Sequence, residues 1–391
     1  MNPSLENVEA SVLSVFRTRF HTEPQVISSA PGRVNLIGEH TDYNDGFVLP
    51  AAIDRRIAVA AGVRSDGIFE VHAGNLNSNA RFSLQDLGPS RTESWANYAR
   101  GIVALLHQAG NAPNGANLAI HGNVPRGGGL SSSAALEVAL AYALLALAGA
   151  NLPEVAIARL CQRAEHEWAG VHCGIMDQFI AVMGRQDAAL FLDCRSYEFR
   201  HVSLPQGTRV VICDTGVKRA LATSAYNTRR AECVAAVTVF KTVLPGITSL
   251  RDVSIPAFEE YRHLLEPPVL QRCKHVVTEI ARVEQAVRAL DHHDLPLFGK
   301  LMYDSHFSLQ HDYEVSCPEL DAVVDICAEV DGVYGARMTG AGFGGCAICL
   351  TREQDVPEIV HRIAAEYPQK TGMKPTLLVS GAEAGVTVRT V

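Results

Sequence analysis

Pro125-Arg-Gly-Gly-Gly-Leu-Ser-Ser-Ser133 decides how this chain reads. Strand-like Ala116–Gly122 runs into it, and an Ala- and Leu-rich helical stretch leaves it over about 132–148. Three glycines let a backbone approach a ligand and reach dihedrals closed to other residues. The helix start behind them offers unpaired N–H groups and the positive end of a dipole. Gly127, Gly128, Gly129, Leu130, Ser131, Ser132 and Ser133 can thus form an anion site, and a serine of the run can ligate Mg2+. No Lys follows the glycines, so this is not a Walker A loop. The plain alternative is a Gly-Ser connection capped by a serine.

Outward from this loop, the order of elements predicts an α+β chain. A helix is expected over about 4–20, strands at 56–64, 68–73, 188–194 and 209–214, and helices at 153–168, capped by Asn151, and 175–183. The second half reads as helices near 224–240, 267–290, 296–308 and 318–330, then strands near 333–339, 345–350, 376–380 and 385–390, with a helix at about 355–366. Strands and helices mix without strict alternation, which argues against a doubly wound sheet. With 391 residues the chain exceeds one comfortable core, so two domains are expected, 1–205 and 206–391, joined near Ser196–Gly207.

Composition excludes several function classes. The net charge of −8 and pI near 6.0 speak against a nucleic-acid or anionic-membrane footprint. The most apolar run, Val138–Ala150, falls short of the roughly 20 residues of a membrane span and reads as a buried helix. Leu5, Val8, Val12 and Phe16 recur at helical spacing with Glu6 and Glu9 between them, unlike a secretory signal. Ten scattered cysteines then suggest reduced thiols in a cytoplasmic protein. Cys346 and Cys349 sit three apart on an expected strand, pointing to opposite faces, and make a poor metal clamp. His166, His172 and Cys173 lack zinc-helix spacing.

Three acids sit in awkward places. Glu165 shares a helix face with Ala158, Cys161 and Trp168, which is costly unless a cation such as Mg2+ pairs with it; a solvated stripe edge is the alternative. Asp177, in Gly174-Ile-Met-Asp-Gln178, suits a catalytic base or a simple helix N-terminal acid. Gly38-Glu-His-Thr-Asp-Tyr-Asn44 crowds polar groups into one loop, and Glu39 and Asp42 can accept hydrogen bonds from neighbouring sugar hydroxyls, or the loop is merely solvated. Gly340-Ala-Gly-Phe-Gly-Gly345 matches the dinucleotide fingerprint in form, but a strand is expected behind it rather than a helix, so packing against a phosphate or sugar site fits better.

These segments resemble a known family. Pro31–Asn44 resembles the galactokinase signature, Pro125–Ala135 the second GHMP kinase motif, and Arg337–Gly345 the third. The resemblance spans essentially the whole chain and implies a two-domain GHMP kinase fold with the active site in the cleft between domains. It implies transfer of the γ-phosphoryl of ATP, with Mg2+, to the C1 hydroxyl of galactose, the first committed step of galactose metabolism (Leloir pathway). By the same resemblance, Gly127 through Ser133 would wrap the phosphates and Ser133 and Glu165 would hold Mg2+. Glu39, His40, Thr41, Asp42, Gly174 and Tyr226 would bind the sugar. Asp177 would face the C1 hydroxyl with Arg33 beside it. A monomer or weak homo-oligomer is expected. The competing readings are an N-acetylgalactosamine kinase, a GHMP kinase for a non-sugar alcohol, and a non-catalytic galactose and ATP sensor.

Overall fold

The computed structural model describes residues 3–217 and 222–391; the side chains of 3–7, Leu5 and Glu6 included, and of 222–224 lie outside the described residues. In chain order the first half holds α1 (Pro3–Phe20), β1 (Val26–Asn35), β2 (Phe47–Val48), β3 (Pro50–Val63), β4 (Ile68–Ala73), β5 (Ser78–Ser83), α2 (Asn97–Gln108), β6 (Ala116–Gly122), α3 (Ser132–Ala148), α4 (Glu154–Ala164), α5 (Met176–Met183), β7 (Ala188–Asp193) and β8 (Phe199–Ser203). Then come β9 (Thr208–Asp214), α6 (Ala222–Phe240), α7 (Ile255–Tyr261), α8 (Val269–Asp291), α9 (Leu295–His311), α10 (Pro318–Ala328), β10 (Val333–Thr339), β11 (Cys346–Arg352), α11 (Val356–Thr371), β12 (Thr376–Ser380) and β13 (Thr387–Thr390).

The strands form three sheets, ordered β13-β1-β3-β6-β4-β5, β10-β11-β9-β12 and β2-β7-β8. Every pairing among them is antiparallel except β4 with β6. Val8, Val12 and Phe16 of α1 are buried together with Ile27, Ala58, Ala60 and Ala119, so α1 covers one face of the first sheet. Helix α3 is apolar on every side, as a helix enclosed all round must be. It packs on β1 and β3 with α2, α4 and α5 around it, and no described helix is long and apolar enough to cross a membrane.

Two expectations shift. A strand, β8, occupies Phe199–Ser203 within the expected linker Ser196–Gly207 and pairs with β7. Only Val202 of its five residues is buried, so no apolar alternation marks the strand. Helix α2 and strand β5 were not foreseen. Gly101 weakens the helical signal of α2, yet packing needs it. A Cβ there would lie 3.1 Å from Ala164 and Trp168 side-chain atoms, so α2 sits closely on the segment that carries Glu165. The chain closes on itself through β13, which returns to pair with β1.

Candidate active site

Where the loop before α3 meets the loop after β1, a cavity of about 380 Å3 opens. Its walls include Arg33, Glu39, His40, Asp42, Gly127, Gly129, Leu130, Ser131, Ser132, Ser133, Glu165, Gly174, Asp177 and Tyr226, so nearly every residue singled out in the sequence converges here. Thr41 and Gly128 do not line it. Thr41 is buried, with its hydroxyl 2.8 Å from the Gly38 carbonyl and 2.6 Å from that of Phe47, and it shapes the loop from behind. A Cβ on Gly128 would lie 3.0 Å from the Asp214 carboxylate.

The centre of the cavity is an ion pair. Arg33 grips Asp177 with two parallel bonds, Nε to Oδ1 at 2.7 Å and Nη2 to Oδ2 at 2.8 Å. Such a fork fixes orientation as well as charge. The third arm of Arg33, Nη1, donates to the Gly129 carbonyl at 2.5 Å, and its backbone N–H donates to Leu130. Ser131 donates its hydroxyl to Asp177 Oδ2 from a left-handed backbone conformation (φ 59°) at the start of α3. Asp177 lies in the first turn of α5, as the helix N-terminal reading of it expects. Burial opposes the charge of Arg33, but Asp177, Glu39 and Asp42 together hold its pKa above the ordinary value.

The sugar-signature loop is a buried polar network. Glu39 is 2% exposed. Its Oε2 accepts from Asn35 at 2.6 Å, and its Oε1 accepts from Thr339 at 3.0 Å and the Gly340 N–H at 2.6 Å. Arg337, fully buried, lies 3.5 Å from Glu39 and 3.9 Å from Glu279. Glu279 accepts from the Gly38 N–H and Ser305 and pairs with Arg282. Despite burial, Arg282, His275 and Arg337 hold its carboxyl below the usual range. His40 has φ 63°; its Nδ1 lies 2.7 Å from the Tyr43 hydroxyl, which meets Tyr313 at 2.8 Å. Burial foremost, then His275, drives its pKa down to about 3, so the imidazole is neutral. Asp42 moves the other way, up to about 7, from burial and then the charge of Asp177. A Cβ on Gly174 would lie 1.7 Å from Asp42 Oδ2, so only glycine lets that carboxylate take its place.

Glu165 is 5% exposed, which excludes the solvated-edge reading. Helix α4 ends at Ala164 and the chain continues as a π-helical turn, Glu165–Ala169, a distortion common at functional sites. Glu165 Oε2 accepts from Gln178 at 2.8 Å and Cys173 at 3.1 Å. Burial raises its pKa, while Cys173, Ser133 and Gln178 partly stabilise the ionised form. Among the described residues it has no ion-pair partner, and a carboxylate beside the Ser133 hydroxyl is a hard-oxygen donor set that suits Mg2+. No cluster of three or more His, Cys, Asp or Glu side chains able to hold a metal occurs among the described residues. All ten cysteines are free thiols, and Cys346 and Cys349 are buried within β11. The third glycine loop ends in this strand, not a helix, and Gly340 and Ala341 join the cavity wall.

Sequence reasoning missed Asn35, Arg337, Thr339, Glu279 and Gln178 as supports of the site. Arg337 and Thr339 stand inside a motif already noted, and Gln178 follows Asp177 directly. Nothing local marks Glu279.

The chain resembles known proteins along most of its length. Residues 14–63 match the family described as galactokinase galactose-binding signature, 97–185 the GHMP kinases N terminal domain, and 286–369 the GHMP kinases C terminal. It is 48% identical over 371 residues to a galactokinase of Roseiflexus sp. (strain RS-1), covering 95% of both chains. It is 45% identical over 378 residues to one of Chloroflexus aggregans, covering 97% of both. The crystal structure of Lactococcus lactis galactokinase complexed with galactose superposes with a TM-score of 0.93 at 35% identity, over 97% of this chain and 99% of that one. Methanococcus jannaschii mevalonate kinase shares the fold, with a TM-score of 0.65 at 19% identity, over 92% of this chain and 98% of that one.

Proposed function

The chain belongs to the galactokinase family of GHMP kinases, and from that premise we propose that its cleft moves the γ-phosphoryl of MgATP to the C1 hydroxyl of α-D-galactose. It is an ATP-dependent sugar kinase. Readings as an N-acetylgalactosamine kinase, a kinase of non-sugar alcohols or a non-catalytic sensor are not favoured.

One observation carries the assignment of roles: the Arg33–Asp177 fork stands between the glycine-serine loop and the sugar-signature loop. Phosphoryl transfer asks a protein chiefly to position its partners and neutralise charge. In this reading the N–H groups of Gly127–Ser133 receive the ATP phosphates. Asp42, His40, Tyr226 and the remaining acceptor capacity of Glu39 orient the sugar. Asp177 takes the proton of the C1 hydroxyl, and Arg33 fixes the carboxylate and faces the developing negative charge. Ser133 and Glu165 would hold Mg2+, which supplies charge neutralisation to the phosphate oxygens. Residues 1–205 then carry the sugar signature and the phosphate loop, and 206–391 the third glycine loop. Free, mostly buried thiols accord with a cytoplasmic location.

The test is a panel of hexoses with MgATP, with the product position read by phosphorus NMR. Galactose should give a C1 phosphate and N-acetylgalactosamine should turn over far more slowly. Preferred turnover of the N-acetylated sugar, or phosphate at another hydroxyl, would overturn the substrate assignment.

A further inference from the structure

Behind Glu165 lies a second carboxyl group that the reaction does not use. Glu137 stands on α3, one turn beyond Ser133, and is fully buried, as is Gln178 of α5. The Gln178 amide nitrogen donates twice, to Glu137 Oε2 at 3.1 Å and to Glu165 Oε2 at 2.8 Å. Glu137 Oε1 and Gln178 Oε1 each have no hydrogen-bond donor. Two buried acceptors left without donors, on two side chains already joined at their other ends, is a costly arrangement. One proton resolves both. A carboxylic acid at Glu137 can donate from Oε1 to Gln178 Oε1 while Oε2 accepts from Gln178 Nε2, closing an acid–amide ring.

We propose that Glu137 is a positioning residue that carries a proton and locks the Gln178 amide, so that the amide nitrogen is always turned toward Glu165. Without the lock the amide could flip and present its oxygen to Glu165, placing two acceptors together. With it, Oε2 of Glu165 is held by Gln178 and Cys173. This inference rests on the reading of Glu165 as the Mg2+ carboxylate. The protonated state also suits the surroundings. Burial first, then the negative charge of Glu165, raises the Glu137 pKa well above the carboxylate range. Tyr98, Cys161 and Cys173 stand near the two acids, and the negative charge of Asp177 raises the pKa of both further. A neutral Glu137 leaves Glu165 as the carboxylate beside Ser133 that meets the cation.

The experiment has a spectroscopic arm and a kinetic arm. Infrared spectra of the full chain at mildly alkaline pH should show a buried carboxylic-acid C=O band that is lost in Glu137→Gln. If that band is absent from the unsubstituted protein, the proposal fails, whatever the kinetics. In the kinetic arm, Glu137→Gln preserves an amide ring and should keep the Mg2+ concentration for half-maximal rate within about fivefold, one net hydrogen bond. Glu137→Leu removes the lock and should raise that concentration about 10- to 100-fold, as losses behind a metal ligand do. A band present with unchanged Mg2+ dependence in both variants would overturn the link to Glu165. Should Glu137→Leu not fold, the band and the Glu137→Gln titration decide alone. Absence of Mg2+-dependent transfer to galactose by the unsubstituted protein would instead sink the functional reading, and the infrared arm would still judge the proton.

Discussion

The two loops that meet in the cavity are built on opposite principles. The glycine-serine loop is open at its glycines and is tied back at Gly129–Ser131 to Arg33 and Asp177. Gly127 and Gly129 both have φ 79°, and a Cβ on Gly127 would meet nothing within 4 Å. The sugar-signature loop is non-local and closed. Glu39 takes donors from Asn35, Thr339 and Gly340, and Gly38 leans on Glu279 of α8. In the proposed reading, one loop presents backbone donors to an anion that completes it. The other is completed by the rest of the protein before any sugar arrives. Phosphate is recognised by charge and N–H direction, which a short segment can supply. A sugar hydroxyl is recognised by single acceptors whose orientation must be fixed beforehand, and fixing them takes a buried network.

Breaking the closed loop from behind should have the largest effect on stability. Arg337→Met leaves Glu39 and Glu279 short of a buried cation, and a broken buried pair costs about 3–5 kcal/mol. Denaturant unfolding should register that loss. A midpoint close to that of the unsubstituted protein would mean Arg337 does not hold the loop.

Alanine at two glycines separates the loops more finely. Gly174→Ala must push Asp42 aside, and loss of a hydrogen bond to a carboxylate costs about 1.5–3 kcal/mol, roughly ten- to hundredfold in galactose affinity. Gly127→Ala has room for its methyl and suffers only the left-handed backbone, about 1–2 kcal/mol, with ATP affinity as the readout. Equal effects on both substrates from either variant would erase the distinction between the loops.

The smallest expected effect is in pH. Asp42 has its folded-state pKa raised to about 7 from 3.8. The folded protein therefore holds this proton more tightly than the unfolded chain, and the group's contribution to stability declines as pH rises from about 4 to 7. Activity runs the other way. As pH falls through about 7 the free enzyme loses an acceptor for the sugar, and kcat/KM for galactose should drop by about tenfold or less. The acid limb should vanish in Asp42→Asn; its persistence there would assign it to another group.

What could be read in the sequence follows the same division. The glycine-serine loop, α3 and the acid Glu165 are written in adjacent residues, where spacing and apolar pattern speak directly. Glu137 carried the same signal as Glu165, an acid on an apolar helix, and could have been found by the same rule. Glu279, which holds Gly38 from 241 positions away, could not, because nothing near it in the sequence marks it. Strand β8 and helix α2 escaped for a different reason: a single buried residue, Val202, in one and Gly101 in the other blur periods that tertiary packing enforces. The assignment of galactose, rather than sugars in general, came from resemblance in the Glu39–Asp42 segment and not from physical pattern.

The account turns on Asp177, the carboxylate that Arg33 presents where the two loops meet. The most direct measurement is the kcat of Asp177→Asn with MgATP and galactose, alongside galactose affinity in the same variant. With Asp177 as the proton acceptor, kcat should fall by about 10^2–10^4 with affinity largely kept. A near-normal kcat, or a defect confined to affinity, would contradict it.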